Sequence, residues 1–419
     1  MHTRSATRHV PGLKLVEHRF AVPLRPDAAE PTIEVFAREV RAAKHADEPR
    51  PYLLKLNGGP GFANQRPRRA GAWLERALQD FHVILLDQRG TGLSTPLNAQ
   101  TLAHVGDAAA RAEYASHFRA DAIVRDAEHV RRALLGDEPW TILGQSFGGF
   151  CALTYLSFAP EGVRAALVTG GLPSLHRPAT DVYRALGGRL DAMLDRYLTR
   201  YPDDRERWEA VLDHVATTEE RTPRGRTLTP DGVRIAGREV GMSTGPEQLH
   251  YLVEGAFASS GRLSTAFLES LDSRITFAVE PLYAILHEPI YAKGEATRWA
   301  AQRVLDERPD GPPLLFGETI HPSMFAEDPS LVPLRETAEL LAAKSDWNPL
   351  YDREILRANT VPAVAAVYLD DLYVESSFSL ETVDAVGNLR AWVTNEHDHD
   401  GIHVGPVLDR LLEMLRGEA

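Results

Sequence analysis

A chain of 419 residues, 43 % apolar and 25 % charged, has the composition of an ordinary globular protein of one large domain with an insertion, or of two to three domains. Its formal net charge of −13 argues against a nucleic-acid partner, and the one dense basic run, RPRR at 66–69, is too short to reverse that. One cysteine excludes an internal disulfide, and no stretch approaches the ~18 apolar residues of a membrane span. The basic N-terminus has no apolar run after it and does not look like a secretory signal, so the expected location is cytoplasmic.

Residues 15–24 and 32–40, rich in Val, Phe and Ile, read as two early strands, the second following DAAEP. PYLLKLNGGPGF (51–62) begins as a central strand and runs into a loop whose glycines allow a backbone path closed to side chains. Residues 70–79 suit a helix. FHVILL (81–86) is an unalternating apolar run, as buried parallel strands are, and it ends in the polar loop DQRGTGLS. Within that loop Arg89 is expected to pair with Asp87 or to brace the loop. A helix over 120–135 precedes the strand TIL, and VRAALVTG (163–170) follows as a further strand.

Between them lies GQSFG, residues 144–148, in a strand–turn–helix setting, with the helix expected over 147–159. That is the pattern of a serine held out from a very sharp turn. Gly144 and Gly148 leave room beneath the turn, and Ser146 stands beside the free N–H groups of a helix N-terminus. Cys151, inside that helix, reads as a small apolar filler. From 51 to 170 strand and helix alternate, the signature of an α/β protein with a mostly parallel sheet flanked by helices.

The alternation breaks over 171–345, where helical stretches at 181–198, 205–216, 247–257 and 294–306 surround a polar segment, 217–237, that suits a loop or a short hairpin. The expectation is a mainly helical cap inserted in the core domain: core 1–170, cap 171–345, core 346–419. Strand material resumes at 361–369 and 389–394, and a helix closes the chain over 403–416.

A serine hydroxyl needs a base, and the base needs an orienting carboxylate. Asp370 and Asp371 follow one presumed parallel strand, and His397 and His399 follow the last one. The order Ser, Asp, His fits the α/β-hydrolase arrangement. Asp371, further past the strand, is favoured over Asp370, which suits capping a turn; His397 and His399 stand equal on spacing. The N–H of Phe147 and the Gly58–Gly59 loop are the candidate oxyanion donors. GGPG at 58–61 has neither phosphate-loop nor dinucleotide-loop spacing, and NEHDHDGIH (395–403) lacks the spacing of a recognised zinc motif.

The stretches NGGPG (57–61), DQRGTGLST (87–95), GQSFGG (144–149), HEPIY (287–291), GETIHPSMF (317–325), VYLDDLYV (367–374) and WVTNEHDHDG (392–401) together resemble the longer branch of the proline iminopeptidases (prolyl aminopeptidases) of the α/β-hydrolase superfamily. The resemblance spans about residues 15 to 416. It implies an α/β-hydrolase core with a helical cap, and Ser146, Asp371 and His399 as the catalytic residues, with Gly58 and Gly59 beside the oxyanion. It implies release of an N-terminal residue, usually proline, from a short peptide or amino-acid amide, with no metal or organic cofactor. One departure is Asn57, where the family loop usually begins with His. A buried ammonium needs carboxylate partners, and Glu254, Glu288 and Glu318 are the candidates for the substrate amine. The competing expectations are an esterase or amidase on small uncharged substrates, and a binding protein that has kept the scaffold without the chemistry.

Overall fold

The computed structural model describes residues 2–418. The chain divides into two compact units: residues 1–176, 348–369 and 376–419 form a core unit, and residues 177–347 with 370–375 form an inserted unit.

The core unit is built on one nine-stranded sheet in the order β1-β2-β3-β5-β4-β6-β7-β8-β9. The strands are β1 (His2–Val10), β2 (Leu13–Pro23), β3 (Thr32–Ala42), β4 (Tyr52–Leu56), β5 (His82–Asp87), β6 (Trp140–Gln145), β7 (Val163–Thr169), β8 (Ala363–Tyr368) and β9 (Leu389–Thr394). The first three and the β3–β5 pair are antiparallel; from β5 to β9 every pair is parallel. All six residues of β5 and of β8 are buried, which is why neither alternates in polarity.

The helices of the first half of this unit include α1 (Ala72–Asp80), α2 (Ala120–Leu135) and α3 (Phe147–Phe158). Eleven of the twelve residues of α3 are buried, so it is apolar on every side rather than striped. After the insertion the unit resumes with helices Ser376–Ala385, Gly401–Val404 and Val407–Arg416. The helix expected over 403–416 is therefore two, broken at Gly405–Pro406, where proline cannot continue the turn before it. Leu53, Leu85, Leu143 and Leu167 of the sheet form one core with Leu74 and Leu78 of α1 and Leu408 and Leu411 of the last helix.

β1 was not expected. Its sequence, HTRSATRHV, is polar, yet it pairs along β2 from His2↔Phe20 to Val10↔Leu13 through the turn at Pro11–Gly12. An edge strand needs backbone partners more than apolar side chains.

The inserted unit carries α4 (Ala179–Arg200), α5 (Asp204–Thr217), α6 (Gly245–Glu254), α7 (Thr265–Ile275), α8 (Pro281–Leu286), α9 (Ala300–Asp306) and α10 (Arg335–Ala343), with shorter turns between. In the polar segment before α6, Arg221 and Thr227 form an antiparallel bridge and a five-residue helix follows at Pro230–Arg234. Among the described residues no helix is long and apolar enough to cross a membrane.

Candidate active site

In the core unit the loops after β4, β5, β6 and β9 all leave the carboxyl end of the parallel sheet, where open α/β sheets bind ligands. Ser146 lies between β6 and α3 at φ 54°, ψ −127°, a conformation that costs a non-glycine residue about 1–3 kcal/mol. It is held there by neighbours on both sides. Its N–H donates to Thr169 at 3.0 Å and its carbonyl accepts from Gly149 at 2.7 Å. Its side chain makes no capping bond to α3, although serine is a preferred capping residue. The hydroxyl is thus kept out of the helix it precedes.

The two flanking glycines are required by close approach. A Cβ at Gly144 would strike the Gly148 carbonyl, and one at Gly148 would strike the Leu56 carbonyl of β4. Gly58 approaches from the loop after β4, where a Cβ would lie 3.0 Å from the Ser146 Cβ and 2.9 Å from Gln145 Oε1. Phe147, whose N–H opens the first turn of α3, is buried with its ring 6.0 Å from that of Phe150.

Asn57 closes its own loop, its Nδ2 donating to the carbonyls of Ala63 at 3.1 Å and Phe62 at 3.3 Å. The departure from the family's usual histidine thus leaves a loop braced by an amide. Arg89 does not pair with Asp87. Its Nε and Nη2 bind the Asp126 carboxylate of α2 at 2.7 and 2.6 Å, and the other donors reach the carbonyls of Leu24, His117 and Pro23. All five guanidinium donors are used, so Arg89 braces and has none left for substrate. The Asp87 carboxylate instead accepts from the N–H groups of Asn64 and Leu93, and its burial raises its pKa.

The two histidines after β9 differ. His397 is partly buried and packs edge-on to Trp392 at 6.0 Å, and its ring fills the space beside Gly405 that a side chain there would need. His399 is 3 % exposed. Cys151 is fully buried in α3, and burial raises its thiol pKa well above the usual range. Among the described residues no three His, Cys, Asp or Glu side chains are grouped to hold a metal ion.

The inserted unit holds the other candidates. Asp370 is an ion-pair residue, 2.7 Å from Arg196 and 3.9 Å from Arg189. Asp371 is 2 % exposed, and its Oδ1 accepts from the N–H groups of Tyr373 at 2.8 Å and Val374 at 3.0 Å. The turn-binding role expected for Asp370 thus belongs to Asp371, and those bonds fix the direction of its carboxylate.

Glu254 is exposed at the end of α6. Glu288 is buried and accepts from Ala300 at 3.0 Å and Ala301 at 2.9 Å at the start of α9, while burial raises its pKa. Glu318 is partly buried among aromatic groups that sequence reasoning did not single out. It accepts from the Tyr283 hydroxyl at 2.7 Å and lies 3.5 Å from His287 Nε2, whose Nδ1 meets the Tyr183 hydroxyl at 3.0 Å. Burial first, then the negative charge of Glu318, raises the pKa of Tyr283; Tyr291 is raised in the same order, with Asp371 adding to it.

The sheet order, the crossovers and the strained strand–Ser146–helix turn define an α/β hydrolase. In agreement, the family described as alpha/beta hydrolase fold matches residues 51–226. A proline iminopeptidase of Aeromonas sobria is 44 % identical over 97 % of this chain and 97 % of its own, and one of Aspergillus aculeatus is 34 % identical over 92 % and 90 %. A solved proline iminopeptidase of Mycobacterium smegmatis covers 96 % of this chain and 98 % of its own at 16 % identity and TM-score 0.46, a looser likeness that adds nothing to the assignment. The chain belongs to the proline iminopeptidase family.

Proposed function

We infer that this chain is a serine aminopeptidase that releases an N-terminal residue, preferentially proline, from short peptides or amino-acid amides through an acyl-enzyme. The observation that carries the reading is Ser146, strained at the sharp turn and crowded by Gly58, in a chain 44 % identical to a proline iminopeptidase. Ser146 is the nucleophile, His399 the base and Asp371 the orienting carboxylate. Burial of His399, and the packing role of its neighbour His397, support that choice. β8 lies two strands from β6, about 10 Å away at the usual spacing of ~4.8 Å. Asp371 follows Tyr368 by three residues, so the chain alone keeps it within about 11 Å of the end of β8.

In the first half-reaction His399 takes the Ser146 proton as Oγ attacks the carbonyl of the first residue. The oxyanion is stabilised by the Phe147 N–H and the Gly58–Gly59 loop, each such donor being worth ~3 kcal/mol. His399 then protonates the departing amine. Water, deprotonated by the same imidazole, releases the amino acid, while Asp371 holds the tautomer and stabilises the imidazolium.

The substrate ammonium needs a carboxylate. Of Glu254, Glu288 and Glu318, the surroundings of Glu318 support that role best, since Glu288 already accepts two helix N–H groups and Glu254 lies on the surface. A partly buried carboxylate with tyrosines near it suits a cation. A cytoplasmic site of action completes the reading.

The test is the rate of release from free and N-acetylated aminoacyl arylamides with proline, alanine or a bulky residue first. Free proline substrates are expected to turn over fastest and acetylation to suppress turnover. Equal turnover of free and acetylated substrates would favour a general esterase or amidase.

A further inference from the structure

Lys55 is the fourth of the five residues of β4 and stands two residues before Asn57. Residues two apart on a strand share a face, so it points to the side on which Leu53 packs with α1. It is 1 % exposed. Among the described residues it has no carboxylate partner: Nζ donates to the Leu56 carbonyl at 3.1 Å and stands 5.7 Å from the centre of the Trp73 ring. A lone buried cation is costly, and a methionine would fill the same space without that cost.

The carbonyl it holds explains what the amine does. The Leu56 oxygen lies against Gly148, closing the gap between β4 and α3 beneath Ser146. The next carbonyl, that of Asn57, accepts from Gln88 Nε2 at 3.3 Å. With both oxygens held from outside, the planar Leu56–Asn57 and Asn57–Gly58 peptides are fixed, and the second ends at Gly58, where a Cβ would lie 3.0 Å from that of Ser146.

We propose that Lys55 is a positioning residue: its ammonium holds the Leu56 carbonyl and so sets the direction of the Gly58 N–H that stabilises the oxyanion at Ser146. This rests on the reading of Ser146 as nucleophile. Burial lowers the pKa of Lys55 from 10.5 to about 7, so its charge titrates across the neutral range. Among the described residues, His403 is a titratable group that feels its charge; the His403 pKa is lowered, first by desolvation and next by the Lys55 charge. A charged donor holds a carbonyl more firmly than a neutral amine does, so the positioning weakens as Lys55 loses its proton.

The test measures kcat and KM of the unmodified protein, Lys55→Met and Lys55→Gln on a proline arylamide from about pH 6 to about pH 9, each normalised to the active serine titrated with an organophosphonate. The methionine variant is expected to lose about tenfold in kcat at the acid end, with KM within about twofold, narrowing to about threefold at the alkaline end. The glutamine variant, which keeps a neutral donor, is expected to lose less, and its deficit also to shrink as pH rises. Should the methionine variant not fold, the glutamine series carries the same comparison. A deficit that does not change with pH, wild-type kcat in either variant, or a change confined to KM would overturn the proposal. Full arylamide turnover by unmodified protein treated with an organophosphonate would remove the serine-hydrolase reading itself, whereas complete inactivation by that reagent with pH-independent deficits removes only the role of Lys55.

Discussion

In the core unit the candidates Ser146 and His399 are accompanied by shaped backbone: a serine at φ 54°, glycines at which a Cβ would collide with carbonyls, and a loop closed by its own Asn57. In the inserted unit the candidates are side chains alone: a carboxylate held by two turn N–H groups, and a glutamate set among tyrosines and a histidine. The contrast separates two kinds of work. Backbone donors cannot adapt to the ligand, so they suit charge that appears only in the transition state. In the proposed reading Glu318 would meet charge that the free substrate already carries, and so would act on binding.

Changes at the catalytic residues should therefore appear in kcat, and changes around Glu318 mainly in KM. The largest effect is expected of Ser146→Ala: a loss of at least about 10⁴ in kcat, with the unfolding transition near that of the unmodified protein, since a lost hydroxyl opens no large cavity. Asp371→Asn should cost about 10³–10⁴ in kcat by favouring the wrong imidazole tautomer. Asp370→Asn, which loses exposed ion pairs, should stay within about threefold. A reversed order would move the orienting role to Asp370. Glu318→Gln should raise KM for free proline amides about 10- to 100-fold while kcat changes far less, the range expected when a charged partner is replaced by a neutral one. A loss in kcat alone would erase the distinction between the transition-state donors and Glu318.

The smallest effect is on stability, and it concerns Glu39 on β3, to which Tyr52 at the start of β4 donates. Burial alone would raise the Glu39 pKa, but bonds from His18, Arg41 and Tyr52 outweigh it and hold the carboxyl at about 2, below its ordinary 4.5. A depressed carboxyl adds stability above its unfolded pKa and loses it as pH falls through the folded one. The contribution, up to about 3 kcal/mol at ~1.4 kcal/mol per pKa unit, is therefore present at neutral pH and disappears between about 4.5 and 2. Urea unfolding of Glu39→Gln should show a deficit at pH 7 that closes over that interval.

Much of this was legible in the chain. The alternation from 51 to 170 and the GQSFG turn survive as β4 to β7 and the Ser146 elbow, because buried parallel strands and sharp glycine turns leave local marks. β1 left none, since its partner is the backbone of β2. Arg89 joins Asp126, 37 residues away, a pairing no local pattern announces. Spacing left His397 and His399 equal; only the fold shows that His399 is buried and that His397 packs against Trp392. Lys55 passed unnoticed because one lysine in YLLKL reads as the solvent side of a strand, and only a sheet covered on both faces turns it into a buried cation. The tyrosines around Glu318 come from three separate segments, so only folding gathers them.

The account stands most directly on the covalent intermediate. Rapid acid quenching during turnover of a proline ester, followed by digestion and mass measurement, should find the prolyl group on the peptide that carries Ser146, and on no peptide of the Ser146→Ala protein. A prolyl adduct on another residue, or steady turnover with Ser146 unmodified at every quench time, would contradict it.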